Sequence, residues 1–215
     1  MKKRRSPTRK LFAAFISVLL AAVVYFLPKD NPLSALVEKT TAASPSASQA
    51  ESQSEELIVT RVIDGDTFLL SNGEKVRLTG IDTPESNNNP KALKDSERSG
   101  QDVGAITRQG KEAAQFTKRL AEGKKIRIEY DVQKRDRYGR LLVYAYDIDT
   151  LKRNPQTKVP EGLVVSANKE IFLNGSIISS GYAVPLTIPP NVKHADQFKK
   201  LYSEARSGKR GLWAQ

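Results

Sequence analysis

The alternation of apolar and polar positions divides the chain into an anchor-like start, a polar stretch and a folded region. Residues 11–27, LFAAFISVLLAAVVYFL, are seventeen positions without a charge, set behind the basic opening MKKRRSPTRK of residues 1–10. A basic flank followed by an apolar run of this length is an export signal or a membrane anchor. Bulky Tyr25, Phe26 and Leu27 close the run where a cleavage site needs small residues, so an uncleaved anchor is expected, with secretion after cleavage as the alternative. The positive flank favours the cytoplasm, which leaves the rest of the chain outside it. Residues 28–56, with TTAASPSASQAESQSEE, carry too few large apolar groups to fold and are expected to form a disordered tether.

From Leu57 the pattern changes to short β-type runs. LIVTRVI, DTFLL and KVRLTGI read as strands, and Ser71-Asn72-Gly73 between the last two is a hairpin signal. Residues 84–108 are polar and rich in Asn, Ser and Gly, and read as a long exposed loop. A helix is expected over 110–122, ended by Gly123, then strands over 125–131 and 140–146. Residues 148–170 read as an irregular insertion or an extended hairpin, followed by a short helix over 173–180 and a last one over 194–207 closed by Gly208. The order β-β-β-α-β-β-α-α predicts one α+β domain over 57–215, a five-stranded OB-type antiparallel barrel with about three packed helices.

Composition narrows the chemistry by subtraction. The chain has no cysteine and one histidine, His194, which excludes thiolate metal sites, a cysteine nucleophile and paired-histidine mechanisms. Residues 57–215 hold 27 of the 35 basic groups and 19 of the 24 acids, a surplus of +8 that points to an anionic partner, nucleic acid before acidic membrane.

The remaining candidates are carboxylates and arginines. Asp64 and Asp66 flank Gly65, while Asp82 and Glu85 flank Thr83-Pro84. Each stretch alone is ordinary turn chemistry, with Asp side chains bonding nearby backbone. Two strand ends joined by a hairpin, however, offer an all-oxygen site suited to a hard cation, Ca²⁺ or Mg²⁺. Arg77 leads into the second stretch, and KRDRYGR at 134–140 adds Arg135, Arg137 and Arg140. Guanidinium forks hold phosphate oxygens and stabilise the charge that grows on them. Carboxylates, a cation and arginines form a minimal set for phosphodiester hydrolysis; a solvated hairpin turn is the plainer account of KRDRYGR, and the one accepted for Arg137.

VIDGDTFLL, RLTGIDTPE, DRYGRLLVYAY, SGYA and GKRGLW, in this order and spacing, resemble the staphylococcal nuclease (thermonuclease, micrococcal nuclease) family over essentially all of 57–215, with insertions at 87–106 and 148–168. The resemblance implies Ca²⁺, rather than Mg²⁺, held by Asp66, Asp82 and the carbonyl of Thr83. It implies Glu85 as general base, Arg77 and Arg140 as the grip on the scissile phosphate, Tyr138 near the nucleotide, and Asp64 in a supporting position behind the metal ligands. It also implies DNA and RNA as substrates, cut with little sequence preference to leave 3′-phosphate ends, by a chain expected to be monomeric. One departure stands out: the tyrosines that help to sandwich the base in the family are replaced here by Leu186, Thr187 and Ile188. A nuclease fold that binds nucleic acid without cutting, tethered to a membrane, is the alternative. It is disfavoured because all five of Asp66, Arg77, Asp82, Glu85 and Arg140 are present. A basic scaffold held against acidic lipid by its charge is a second rival, which salt-sensitive liposome binding without hydrolysis would support, and a two-carboxylate glycosidase leaves the arginines unexplained. His194 is expected at the surface, and Trp213 as a packing anchor.

Overall fold

The computed structural model describes residues 56–214. The apolar run 11–27 and nearly all of the tether lie outside them, and no helix among the described residues is long and apolar enough to cross a membrane. Strand β1 (Glu56–Asp64) pairs antiparallel with β2 (Thr67–Leu70), and β2 with β3 (Lys75–Leu78) through the predicted hairpin. Gly73 takes φ 84° in that turn, a left-handed geometry that a side chain resists. Strand β5 (Lys125–Glu129) pairs with β1 on one side and β6 (Leu141–Asp147) on the other.

Val76↔Leu141, Arg77↔Leu142 and Leu78↔Val143 then close β3 onto β6, which completes a barrel of five strands. The closing seam is parallel, whereas the other four are antiparallel as expected. Inward positions follow the two-residue period of a strand: Val59, Phe68, Leu70, Val76, Leu78, Ile126 and Val143 are all buried. Ile81–Asp82 (β4) and Val184–Pro185 (β8) form a separate small ladder, and Ile171–Phe172 (β7) extends the main sheet beside β6.

The polar stretch expected as a loop over 84–108 is largely helical. It holds α1 (Pro90–Ser99) and the first turns of α2 (Val103–Ala121), which begins well before residue 110. Asn89 caps α1 by accepting from the amides of Lys91 and Ala92, with Pro90 in the first turn, and Asp102 caps α2 through Ala105. Only Ala92 of α1 is buried, so the hydrophobic signal that marks a packed helix is almost absent there. The 148–170 region is mostly irregular, with a single helical turn, α3 (Thr150–Arg153).

Helix α4 (Leu173–Ser179) is buried along its whole length despite its Ser and Gly content, so packing rather than propensity holds it. Within it Asn174 donates to the Thr79 and Val143 carbonyls and accepts from Ala145, fastening the helix to the closing seam. The last helix, α5 (Ala195–Ser207), packs through Phe198 and Ala205. His194, at its start, is half-buried rather than on the surface, its ring 4.5 Å from that of Tyr144 and edge-on to it. Trp213 does pack at the chain's end, edge-on to Tyr202 at 5.5 Å.

Candidate active site

The two acid-bearing stretches meet at Gly65 and Thr83. A Cβ on Gly65 would stand 2.7 Å from the Thr83 hydroxyl oxygen, so the turn between β1 and β2 can approach only because that position carries no side chain. Asp66 Oδ2 accepts from the Thr83 amide and hydroxyl, both at 3.1 Å, and its Oδ1 accepts from the Thr67 hydroxyl at 2.9 Å. From α2, Thr117 donates to the Gly65 carbonyl at 2.7 Å and fixes the turn from behind. Arg77, on β3, joins the stretches electrostatically: Nη1 lies 3.0 Å from Asp66 Oδ2 and Nη2 lies 2.9 Å from Asp82 Oδ1. Its Nη1 also donates to the Leu78 carbonyl at 3.0 Å, which sets the plane of the guanidinium.

Glu85 is placed by the close passage of α2 under its backbone and by the start of α1 above its carboxylate. Asn89 Nδ2 donates to Glu85 Oε2 at 2.6 Å, and Lys91 Nζ lies 2.9 Å from Oε1. The Lys91 ammonium also reaches Asp82 Oδ2 at 3.4 Å, Asp95 Oδ2 at 3.5 Å and the Thr83 carbonyl at 3.3 Å. Burial works against charge on Glu85, but the hydrogen bonds from Lys91 and Asn89 and the charges of Lys91 and Arg77 outweigh it and hold the group below its ordinary value. Glu85 is therefore ionised at neutral pH, as a proton acceptor must be. Asp82 goes the other way, raised by burial more than Lys91 and Arg77 can lower it. Burial likewise lifts Asp64 to about 6, against the Gly65 amide that it accepts, with Asp66 and Glu85 adding to the rise.

Arg140 stands just ahead of β6. Asp136, four residues back in the same turn, accepts from its Nε at 2.7 Å and from its backbone amide at 3.0 Å, which aims the guanidinium. Tyr138 is 69% exposed, with the Arg140 guanidinium 5.6 Å and that of Arg137 4.8 Å from its ring centre. Arg135 is bound to Glu74 across the barrel rim and serves the hairpin. Asp64, Asp66, Arg77, Asp82, Glu85, Tyr138 and Arg140 all line one open cleft of about 790 Å³, so the residues singled out from sequence do come together; Thr83 sits beside it, buried, its carbonyl turned to Lys91.

The donor set suits a hard cation. Asp82 Oδ2, Glu85 Oε1 and the Thr83 carbonyl already surround one positive charge, that of Lys91, and all are oxygens. Among the described residues no three acids converge as a ready-made metal cluster. A site of two carboxylates and one carbonyl needs no third acid, and here Asp66 and Asp82 face Arg77 and Lys91.

Residues 75–215 match the staphylococcal nuclease homologue family. The chain belongs to the staphylococcal nuclease family. It is 28% identical over 214 residues to a thermonuclease of Staphylococcus hyicus, covering 96% of this chain and 99% of that one. A thermonuclease of Staphylococcus intermedius is 29% identical over 171 residues, 77% of this chain and 80% of its own. The endonuclease YncB of Bacillus subtilis (strain 168) is 31% identical over 159 residues, 72% of this chain and 60% of its own. The protein is thus a phosphodiester hydrolase acting on nucleic acid, in a family that depends on metal.

In this nuclease the far wall of the cleft is aliphatic. The β4–β8 ladder and the hydrogen bond from the Leu186 amide to the Gly80 carbonyl bring Leu186 and Ile188 into the cleft where aromatic rings were missed in the sequence. Ile188 is 61% exposed there, so an apolar face is presented to a base, although not a ring. Tyr182 is stacked on Phe116 at 4.5 Å and belongs to the packing. Reading from sequence missed Asn89, Lys91 and Asp136 at the site. The signals for them were present: an Asn-Pro helix start six residues or fewer after Glu85, and an acid four residues before Arg140.

Proposed function

We infer that this nuclease is Ca²⁺-dependent, hydrolyses DNA and RNA with little sequence preference, and leaves 3′-phosphate ends. The observation that carries the reading is the convergence on one cleft of an ionised carboxylate, Glu85, with two arginines fixed by separate acids, Arg77 and Arg140. Arg77 and Arg140 hold the scissile phosphate through the donors that their acid partners leave free, and neutralise the charge that builds on its oxygens. Glu85 takes the proton from the attacking water. Asp66, Asp82 and the Thr83 carbonyl would hold a divalent ion, which would supply further positive charge to the reaction. Tyr138 borders the nucleotide, with Leu186 and Ile188 as an apolar wall that touches any base alike and so supports low sequence preference. Asp64, lifted by burial beside Asp66, acts behind the ligands as a support.

Residues 11–27 anchor the nuclease to a membrane with residues 57–215 outside the cytoplasm, a reading supported by the basic flank at 1–10. The chain acts as a monomer.

The test incubates the purified chain with single- and double-stranded DNA and with RNA, in Ca²⁺, in Mg²⁺ and in EDTA, and identifies the ends formed. Equal cleavage in Mg²⁺ or in EDTA would sink the Ca²⁺ assignment, and 5′-phosphate ends would sink the direction of attack. Protease added to intact cells should remove the domain; protection until lysis would contradict the location.

A further inference from the structure

We propose that Lys91 is a tethered rival of the divalent cation: its ammonium and the ion are alternative occupants of one oxygen cradle, and metal binding requires the start of α1 to swing away. This rests on the reading that the site takes a divalent cation. Lys91 Nζ lies 3.4 Å from Asp82 Oδ2 and 3.3 Å from the Thr83 carbonyl, two of the three groups assigned to the ion, and 2.9 Å from Glu85 Oε1. An ammonium and a divalent ion drawing on the same oxygens would lie within a few ångströms of each other, where like charges repel strongly in a half-buried site.

The same element holds the proton acceptor. Asn89 caps α1 with Oδ1 and donates to Glu85 Oε2 with Nδ2, so the helix start binds both oxygens of Glu85, one through Asn89 and one through Lys91. Displacing that start thus opens the cradle and frees Glu85 in one movement. The helix is built to be displaced: Ala92 is its only buried residue, Leu93 is 49% exposed, and Gly100, at φ 71°, forms its C-terminal end. Few buried contacts mean a low cost of local opening. Once withdrawn, the Lys91 charge stays close by, since α1 remains attached through Ser86–Asn88 to the strand end that carries Asp82.

The experiment titrates Ca²⁺ alone into the full chain by calorimetry, for wild type, Lys91→Met and Lys94→Met. Lys94 is an exposed lysine of the same helix, so its variant controls for loss of one positive charge. Lys91→Met is expected to bind Ca²⁺ about 10-fold or more tightly than wild type, as when a competent state held to roughly a tenth becomes the rule, with Lys94→Met close to wild type. Equal or weaker binding by Lys91→Met, or equal tightening by Lys94→Met, overturns the competition while leaving the cation site in place. Ca²⁺ that binds none of the three overturns the cation reading and the competition together. Hydrogen exchange on wild type gives an independent readout that needs no variant to fold. Saturating Ca²⁺ should speed exchange at the Lys91 and Ala92 amides, which Asn89 now caps, and unchanged or slower exchange there overturns the proposal.

Discussion

Gly110 lies directly beneath Glu85: a Cβ built on it would stand 2.2 Å from both the carbonyl carbon and the carbonyl oxygen of that residue. A glycine in the middle of a 19-residue helix costs about 1 kcal/mol against alanine, so its place here reflects contact rather than propensity. Helix α2 needs that bare position to pass close beneath the Glu85 peptide. Gly110→Ala is accordingly expected to destabilise the protein by about 1–3 kcal/mol, the overpacking cost exceeding the helical gain. It should also lower cleavage well below the unfolding transition, since the backbone of Glu85 must shift. Urea unfolding combined with a cleavage assay at low temperature separates the two effects; unchanged turnover would mean that the Glu85 backbone has freedom to relax.

Glu85→Gln keeps the size of the side chain but removes the proposed proton acceptor and turns one of the two oxygens that meet Asn89 and Lys91 into a donor. Turnover is expected to fall by roughly 100-fold or more, the scale of a lost general base, at Ca²⁺ concentrations that saturate the variant. Wild-type turnover in this variant would remove Glu85 from proton transfer.

Arg77→Lys and Arg140→Lys should both lower activity, because an ammonium cannot reproduce the planar fork. Their effects on stability should differ. Arg77 is largely enclosed between Asp66 and Asp82, and a lysine keeps the charge but cannot span both carboxylates, so its replacement is expected to cost about 1–3 kcal/mol. Arg140 is more open and paired to Asp136 alone, and its replacement should cost about 1 kcal/mol or less. Thermal melts set beside kinetics distinguish these outcomes, and equal destabilisation would contradict the geometry.

His194 gives a pH dependence of defined sign. Burial against Tyr144, Phe172 and Phe198 lowers its pKa from the ordinary 6.5, outweighing the help of Gln197. The unfolded chain takes up the proton near 6.5 and the folded chain only at lower pH, so the unfolded state binds more protons in between. Stability from this group is complete above 6.5 and is lost as pH falls towards the depressed value. As the only histidine, it can be followed by NMR without assignment, and His194→Phe should flatten the stability profile below 6.5. A titration midpoint at or above 6.5 would refute the burial argument.

The barrel was legible in the sequence because its strands alternate cleanly and Ser71-Asn72-Gly73 announces the hairpin. The acids and arginines were legible because turn chemistry explains each stretch alone but not their combination. Helix α1 was not, since a helix that buries one alanine leaves no periodic apolar stripe, and only its Asn-Pro start marks it. The spacing that marks Asp136 four residues before Arg140, and Lys91 just inside the Asn-Pro start, shows where these partners stand, but which acid Lys91 reaches is settled only by the fold. His194 was misplaced because its burial comes from rings on β6, β7 and α5 that meet only in the folded chain.

The parallel seam that closes the barrel also sets when the site can be completed during synthesis. Arg77 pairs with Leu142 across it, and Arg140 lies one residue before the seam begins at Leu141, so the two guanidiniums flank a junction between segments more than sixty positions apart in sequence. A ribosome that has released only the first half of the domain has exposed Arg77 and the acids but neither Arg140 nor a closed barrel. The chain stays inert towards phosphodiesters until residues 141–143 emerge and dock, so cleavage waits on closure of the barrel rather than on synthesis of the acids.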